Sequence, residues 1–326
     1  MEGYQVSVIV ASYHPVWEKL RATLLSVLLQ RGVSLEILLA DDGSENYYPR
    51  EVEALFRQHR FTAYRIVHQE KNTGTVRNIQ AALPYCTGRY VKLISPGDAL
   101  YSPTVLAAWA AFMDQNPCAV SFCDAAYYAM EDKGPFVYRL PASPMYRSLF
   151  REPLRPSRIR KNYLLSEDLI LGASTLVETA ALTRYLGLIS GKVILHEDMI
   201  YRLMIYDGLT IRYFEETGIW YEYGTGISTA RSAEQLRRFR REFASADAVL
   251  RERPCRDFFS RRFRVLLWLR GKTEKQMLKK IMKCAVFPET FYWKRQCAAH
   301  AELTPSAAPD DFFFRIFASN EKEAAQ

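Results

Sequence analysis

Between Val6 and Cys123, short apolar runs alternate with helical patterns, and that alternation limits the fold more than any other feature of the chain. Val6 to Ala11, Leu35 to Ala40, Ala63 to His68, Tyr90 to Ile94 and Ala119 to Cys123 read as strands. Pro15 to Gln30, Pro49 to His59, Thr75 to Tyr85 and Pro103 to Asn116 read as the helices between them. Pro15 stands early in its helix and Gly32 just past the end, the usual asymmetry. Repeated β-α units predict an α/β fold, a mainly parallel sheet flanked by helices.

The pattern then weakens. Pro135, Pro141, Pro144, Pro153 and Pro156 interrupt residues 124–170, which read as a loop-rich excursion with a short antiparallel piece at Ala126 to Met130. Glu178 to Leu186 and Glu197 to Tyr206 read as helices, and Leu209 to Glu215 and Ile219 to Glu222 as short strands. After Ile227 the chain turns helical and basic, with Pro254 and Gly271 as breaks.

At 326 residues and 49% apolar, the chain can bury one large core or two unequal units. No apolar run reaches the length of a membrane span, and the N-terminus lacks the basic region of a signal peptide. Six scattered cysteines with no C-x-x-C pair predict packing thiols in a cytoplasmic protein rather than zinc ligands. Charge is uneven. Residues 231–295 carry 19 Lys and Arg against 7 Asp and Glu, whereas the remainder carries 25 against 29. A basic tail beside a mildly acidic body predicts an acidic partner, with an anionic membrane surface favoured and no nucleic-acid module recognisable. Arginines alternating with Phe and Trp from Leu236 to Arg270 fit a bilayer interface or a packed helical domain.

Asp41-Asp42-Gly43-Ser44 follows the second apolar run. Open α/β sheets bind ligands at the carboxyl ends of their strands, so this turn is a candidate site or a structural acidic turn. Asn72, Gly74, Arg77 and Asn78 span a loop and a helix start, where an anionic group is favoured. Ser95-Pro96-Gly97-Asp98 follows another strand, and Glu197-Asp198 opens a helix.

In this order and spacing the segments resemble the inverting family 2 glycosyltransferases over roughly residues 5–228. The resemblance rests on Val6 to Tyr13, Asp41 to Ser44, Asn72 to Asn78, Gly88 to Leu100 and His196 to Asp198. It implies a GT-A fold and transfer of a sugar from a nucleotide sugar, a UDP-sugar favoured, to a lipid-linked or growing glycan at a cytoplasmic membrane face. It places Ala11, Tyr13, Asp41, Asp42, Asn72, Gly74, Arg77, Asn78, Ser95 and Gly97 at the nucleotide sugar. It places Asp98 at a divalent metal, Mg or Mn, with one carboxylate where relatives carry two or three. It makes Asp198 the base and Glu197 its companion, with small residues Gly172 to Thr175 lining the sugar pocket. Trp220, Tyr221 and Tyr223 are either stacking platforms or core. The expected layout is a catalytic domain at 1–228, with a nucleotide-sugar half to about 123 and an acceptor half from 124. A basic helical extension follows at 229–326. A catalytically inactive nucleotide-sugar-binding scaffold of the same fold is the alternative.

Overall fold

A computed structural model of the chain describes residues 3–131, 134–138, 144–223, 233–291 and 309–317. Pro141 and Ile227, named above, and parts of the basic segment 231–295 and of the extension 229–326 lie outside them.

Four strands open a parallel sheet: β1 (Val6–Ser12), β2 (Leu35–Asp41), β3 (Tyr64–His68) and β4 (Tyr90–Ile94). Their spatial order is β3-β2-β1-β4. β1 and β2 are mostly apolar and buried along nearly their whole length because helices cover both faces. Helix α1 (Trp17–Leu28) buries Leu20, Leu24 and Val27, and α2 (Pro49–Gln58) buries Val52, Leu55 and Phe56. Both sets follow the three-to-four spacing of one helical face. Pro49 at the start of α2 lacks only an amide that a first turn leaves free. Helix α3 (Thr75–Ala82) crosses back to β4, a 3₁₀ turn at Leu83–Tyr85 closing it early.

Beyond β4 the sheet becomes mixed, antiparallel pairings joining the parallel ones. After β5 (Ala99–Leu100) and α4 (Val105–Gln115) comes β6, which runs from Val120 to Glu131. This strand absorbs both the predicted strand and the predicted antiparallel piece. β7 (Gly134–Tyr138) folds back on it. α5 (Pro156–Ser166) occupies the expected excursion. β8 (Thr175–Glu178) enters antiparallel between β4 and β6, followed at once by α6 (Thr179–Ile189). α7 (Ile200–Asp207) leads into β9, one strand over Ile211–Glu222 where two were expected. β9 runs parallel to β6 with irregular register around Asp124, then antiparallel to β5. The register shifts twice, between Phe122 and Asp124 and between Asp124 and Ala125, and Ile211 and Trp220 toward the two ends of the strand are both buried, in different core clusters.

The C-terminal helices share this core. α8 (Ala233–Glu252) and α9 (Phe258–Arg270) contribute Ala246, Leu250, Phe263 and Leu266, packed with Tyr163, Leu203 and Tyr206. α10 (Gln276–Val286) stays on the surface with no buried residue. The short helix Asp311–Phe317 docks Phe313 on Trp220 and Tyr128, with Asp310 capping its start. Trp220 is therefore a core residue. Among the described residues no helix is long and apolar enough to cross a membrane.

Candidate active site

The carboxyl ends of β1, β2 and β4 open into a cleft of about 630 Å³. Of the residues singled out from the sequence, Ala11, Tyr13, Asp42, Asn78, Ser95, Asp98, Glu197 and Asp198 line it. Asp41, Asn72, Gly74, Arg77 and Gly97 do not stand on its wall. Arg77 is exposed and lies beside Gly191.

The register pairs Ser12 with Asp41, so the two strands end level. Asp41 turns away from the cleft and is fully buried. Its carboxylate accepts from Ser12 Oγ at 3.1 Å, Ser44 N at 2.8 Å and Ser44 Oγ at 2.6 Å, and His68 Nδ1 lies 2.9 Å away. Asp42 faces the cleft, as alternation along a strand requires. It accepts from Thr73 N at 2.7 Å, Thr73 Oγ1 at 2.8 Å and Gly74 N at 2.8 Å. Gly43 makes this possible: its φ is +76°, and a side chain there would meet the backbone of Lys71 at 2.5 Å. Asn78 donates to Ala40 O at 2.7 Å and leaves its own buried Oδ1 with no partner.

At the β4 end Asp98 Oδ1 accepts from Glu222 N at 3.1 Å. Burial, with the neighbouring Glu222 charge, pushes the Asp98 carboxyl up to about 7 against the pull of Lys92 and Lys19. The Glu222 carboxylate packs directly over Gly97, where any side chain would collide with it. Lys19 of α1 donates to both Glu222 oxygens, at 2.7 and 2.9 Å. Lys92, fully buried beneath, donates to Leu93 O at 2.9 Å and to Ala173 O. Burial lowers its ammonium to about 8. Two hard carboxylates, Asp98 and Glu222, thus meet at the position expected for the metal. They fit a divalent cation that draws its remaining ligands from phosphate and water. Among the described residues no group of three or more His, Cys, Asp or Glu is arranged to hold an ion alone.

Across the cleft, Glu197 and Asp198 sit on the 3₁₀ turn Glu197–Met199 ahead of α7. Burial pushes both carboxyls above the usual range, Glu197 further because it also faces the Asp198 charge. Asp198 Oδ1 is buried without a hydrogen-bond partner. Glu197 lies against Gly172, where an added Cβ would come 2.8 Å from Glu197 Oε1. The small residues after Leu171 therefore make room for a carboxylate as well as for a ligand. Behind the turn, Glu242 of α8 accepts from Leu195 N and His196 N, both at 3.0 Å, and lies 2.7 Å from His196 Nδ1.

The sequence reading missed Lys19, Lys92, Glu222 and Glu242. No local signal marks them. Glu222 meets Asp98 across 124 positions of chain, and Glu242 meets His196 across 46. Tyr221, Tyr223 and Phe239 also line the cleft.

The family model for glycosyl transferase family 2 matches residues 7–171, just over half of the chain. Its span takes in β2, β4 and nearly all of β1, whose carboxyl ends open into the cleft. The fold and cleft thus define a glycosyltransferase, and the chain belongs to glycosyl transferase family 2. Solved structures agree at the level of fold. S. aureus TarS 1–349 with UDP-GlcNAc superposes with a TM-score of 0.56 at 16% identity, covering 91% of this chain and 84% of that one. Mannosyltransferase PcManGT from Pyrobaculum calidifontis, with GDP-Man and Mn²⁺, gives 0.56 at 12% identity, covering 91% and 80%. Against the longer S. aureus TarS, at 17% identity and a TM-score of 0.55, the match covers 84% of this chain and only 44% of that one. No curated protein matches the chain.

Proposed function

We propose that the protein transfers a sugar, with inversion, from a UDP-sugar to a growing or lipid-linked glycan. The observation that carries this is one cleft joining Asp42 and Asn78 at one end, Asp98 and Glu222 in the middle, and an unpartnered Asp198 oxygen opposite. Solved relatives holding UDP-GlcNAc and GDP-Man support a nucleotide-sugar donor.

In this reading Asn78 and the backbone around Asp42 hold the nucleotide. Asp42 acts mainly by fixing Thr73 and Gly74. Lys19 supplies a positive charge at the diphosphate. A divalent cation, held by Asp98 and Glu222, would neutralise charge on the departing diphosphate. Asp198 takes the proton from the acceptor hydroxyl as its oxygen bonds the anomeric carbon and the bond to the diphosphate breaks. The raised carboxyl is the stronger base for it. Glu197, against Gly172, orients the sugar or acceptor. Residues 1–228 form the catalytic unit, completed by Phe239 from α8.

The test is release of nucleoside diphosphate from a panel of UDP-, GDP-, TDP- and CMP-sugars, with Mg²⁺ or Mn²⁺, a chelator control and Asp98→Ala. Metal-dependent release from a UDP-sugar, lost in the variant, is expected. Preference for another nucleotide would overturn the donor assignment.

The acceptor end is assigned to the inner face of the cell membrane. On α9, Phe258, Arg261, Val265 and Trp268 lie exposed along one helical face, with Lys272 over the Trp268 ring at 4.9 Å. On α10, Met277 and Ile281 are exposed beside Lys280. Apolar side chains set among cations suit a bilayer bearing anionic lipid. Co-sedimentation with phosphatidylglycerol vesicles, reduced at least severalfold by Trp268→Ser with Ile281→Ser, is expected. Equal binding to neutral phosphatidylcholine vesicles would contradict it.

A further inference from the structure

Glu242 lies outside the family-matched segment and outside the catalytic unit placed at 1–228. Only 5% of it is exposed. Its carboxylate gathers three donors from two consecutive residues: Leu195 N, His196 N and His196 Nδ1. Those residues lead directly into the turn that carries Glu197 and Asp198. One helical turn earlier on α8, Phe239 packs edge-on against the His196 ring, centroids 5.0 Å apart, and lines the cleft. A single helix of the C-terminal extension thus clamps the base-bearing turn from behind and walls the cleft beside it.

We propose that Glu242 is a positioning residue for the transfer reaction, holding the His196 ring and the Leu195–His196 backbone so that Asp198 is aimed into the cleft. The proposal rests on the reading of Asp198 as the base. Two charge arguments accompany the geometry. Burial alone would disfavour a charged His196, but the Glu242 hydrogen bond and the charges of Asp198, Glu242 and Glu197 outweigh it, so its titration is raised. Glu242 is held ionised by that same partner. The groups facing the turn are Glu242 and Phe239 from α8, Glu197 and His196 beside Asp198, Tyr163 from α5 and Tyr201 from α7. Without the clamp, the turn loses both its charge partner and two backbone anchors. Small misplacements of a reacting group carry large rate penalties.

Glu242→Gln keeps an acceptor for one amide but removes the charge, and Glu242→Asp keeps the charge on a shorter arm. Nucleoside diphosphate release is measured for each with the donor selected by the panel, beside donor affinity and melting temperature. His196 titration is followed by NMR of the histidine ring protons. The expected result for Glu242→Gln is a His196 midpoint lowered by about one unit, and release slowed about tenfold or more with donor affinity within twofold. Glu242→Asp should recover part of the rate. Release within twofold of the parent, or a His196 midpoint that does not move, overturns the proposal. Asp198→Asn, run in parallel, separates the two levels. If it retains release, the base reading itself fails; if it abolishes release while Glu242→Gln does not slow it, only the role of Glu242 fails.

Discussion

Two pairs of adjacent carboxylates stand at the same cleft, three of the four on its wall and Asp41 buried behind it, and they are built in opposite ways. Asp41 and Asp42 sit at a strand end where Ser12, Ser44, Thr73 and Gly74 turn donors toward them. Glu197 and Asp198 sit on a 3₁₀ turn between packed helices, with burial raising both and one Asp198 oxygen left bare. The chemistry of the side chains is the same; the supply of donors differs. Hydrogen bonds to an ionised carboxylate contribute about 1.5–3 kcal/mol each, so the first pair is an anchor that organises loops. In the proposed reaction, the second pair keeps its basicity for a proton that arrives with the acceptor. Asp98 stands between these extremes, with one amide donor and a charged neighbour in Glu222.

Removing an anchor should therefore damage the fold more than the chemistry. Asp42→Ala strands Thr73 N and leaves Gly74 N with only the Asn72 side-chain oxygen, 3.1 Å away, and is expected to destabilise the protein by about 2–4 kcal/mol in urea unfolding. A loss below about 0.5 kcal/mol would break the distinction, because it would leave Asp42 with no anchoring role.

A smaller effect is expected at Asp98, and it depends on pH. Its carboxyl is raised in the folded state, so folding favours the protonated form. The stability it contributes is fully present below the ordinary carboxyl range and is lost as pH rises through about 7. With divalent metal chelated, the parent should lose roughly 1–3 kcal/mol of stability from this group between about pH 4 and pH 8. Asp98→Asn should flatten that slope. An unchanged slope in thermal unfolding across this range would remove Asp98 from the buried, charge-strained class and place it with the anchors.

The parallel half of the fold was legible because its strands are unbroken apolar runs between amphipathic helices. The rest was not, for identifiable reasons. β6 continues through Asp124 because Arg147 pairs with that carboxylate, a long-range contact that rescues a charge from an otherwise unlikely strand position. β9 crosses Glu215 and Glu216 as one strand because both side chains are exposed there, while the residues on either side pack inward. Tertiary packing overrode the local pattern in both. The site divides the same way. Asp42, Asn78, Asp98 and Asp198 stood out because each ends or begins an element. Glu222, Lys19 and Glu242 gain their places only when distant segments close on one another, and Arg77, prominent in sequence, points away from the cleft's wall. Part of the C-terminal charge is taken up inside the molecule: Arg253 and Arg270 pair with Asp207 and Glu167, while Arg160 of α5 and Arg202 of α7 pair with Asp257 and Asp247, so the four ion pairs tie α5 and α7 to the C-terminal helices.

The central claim is that Asp198 is the base while the carboxylates at the opposite end only hold structure. Asp198→Asn preserves shape and removes proton-accepting power, so single-turnover sugar transfer or donor hydrolysis, measured beside donor affinity, tests it directly. A fall of about 10²-fold or more in rate, with donor affinity within twofold of the parent, is the predicted result. Turnover within a few-fold of the parent at unchanged affinity would contradict the account.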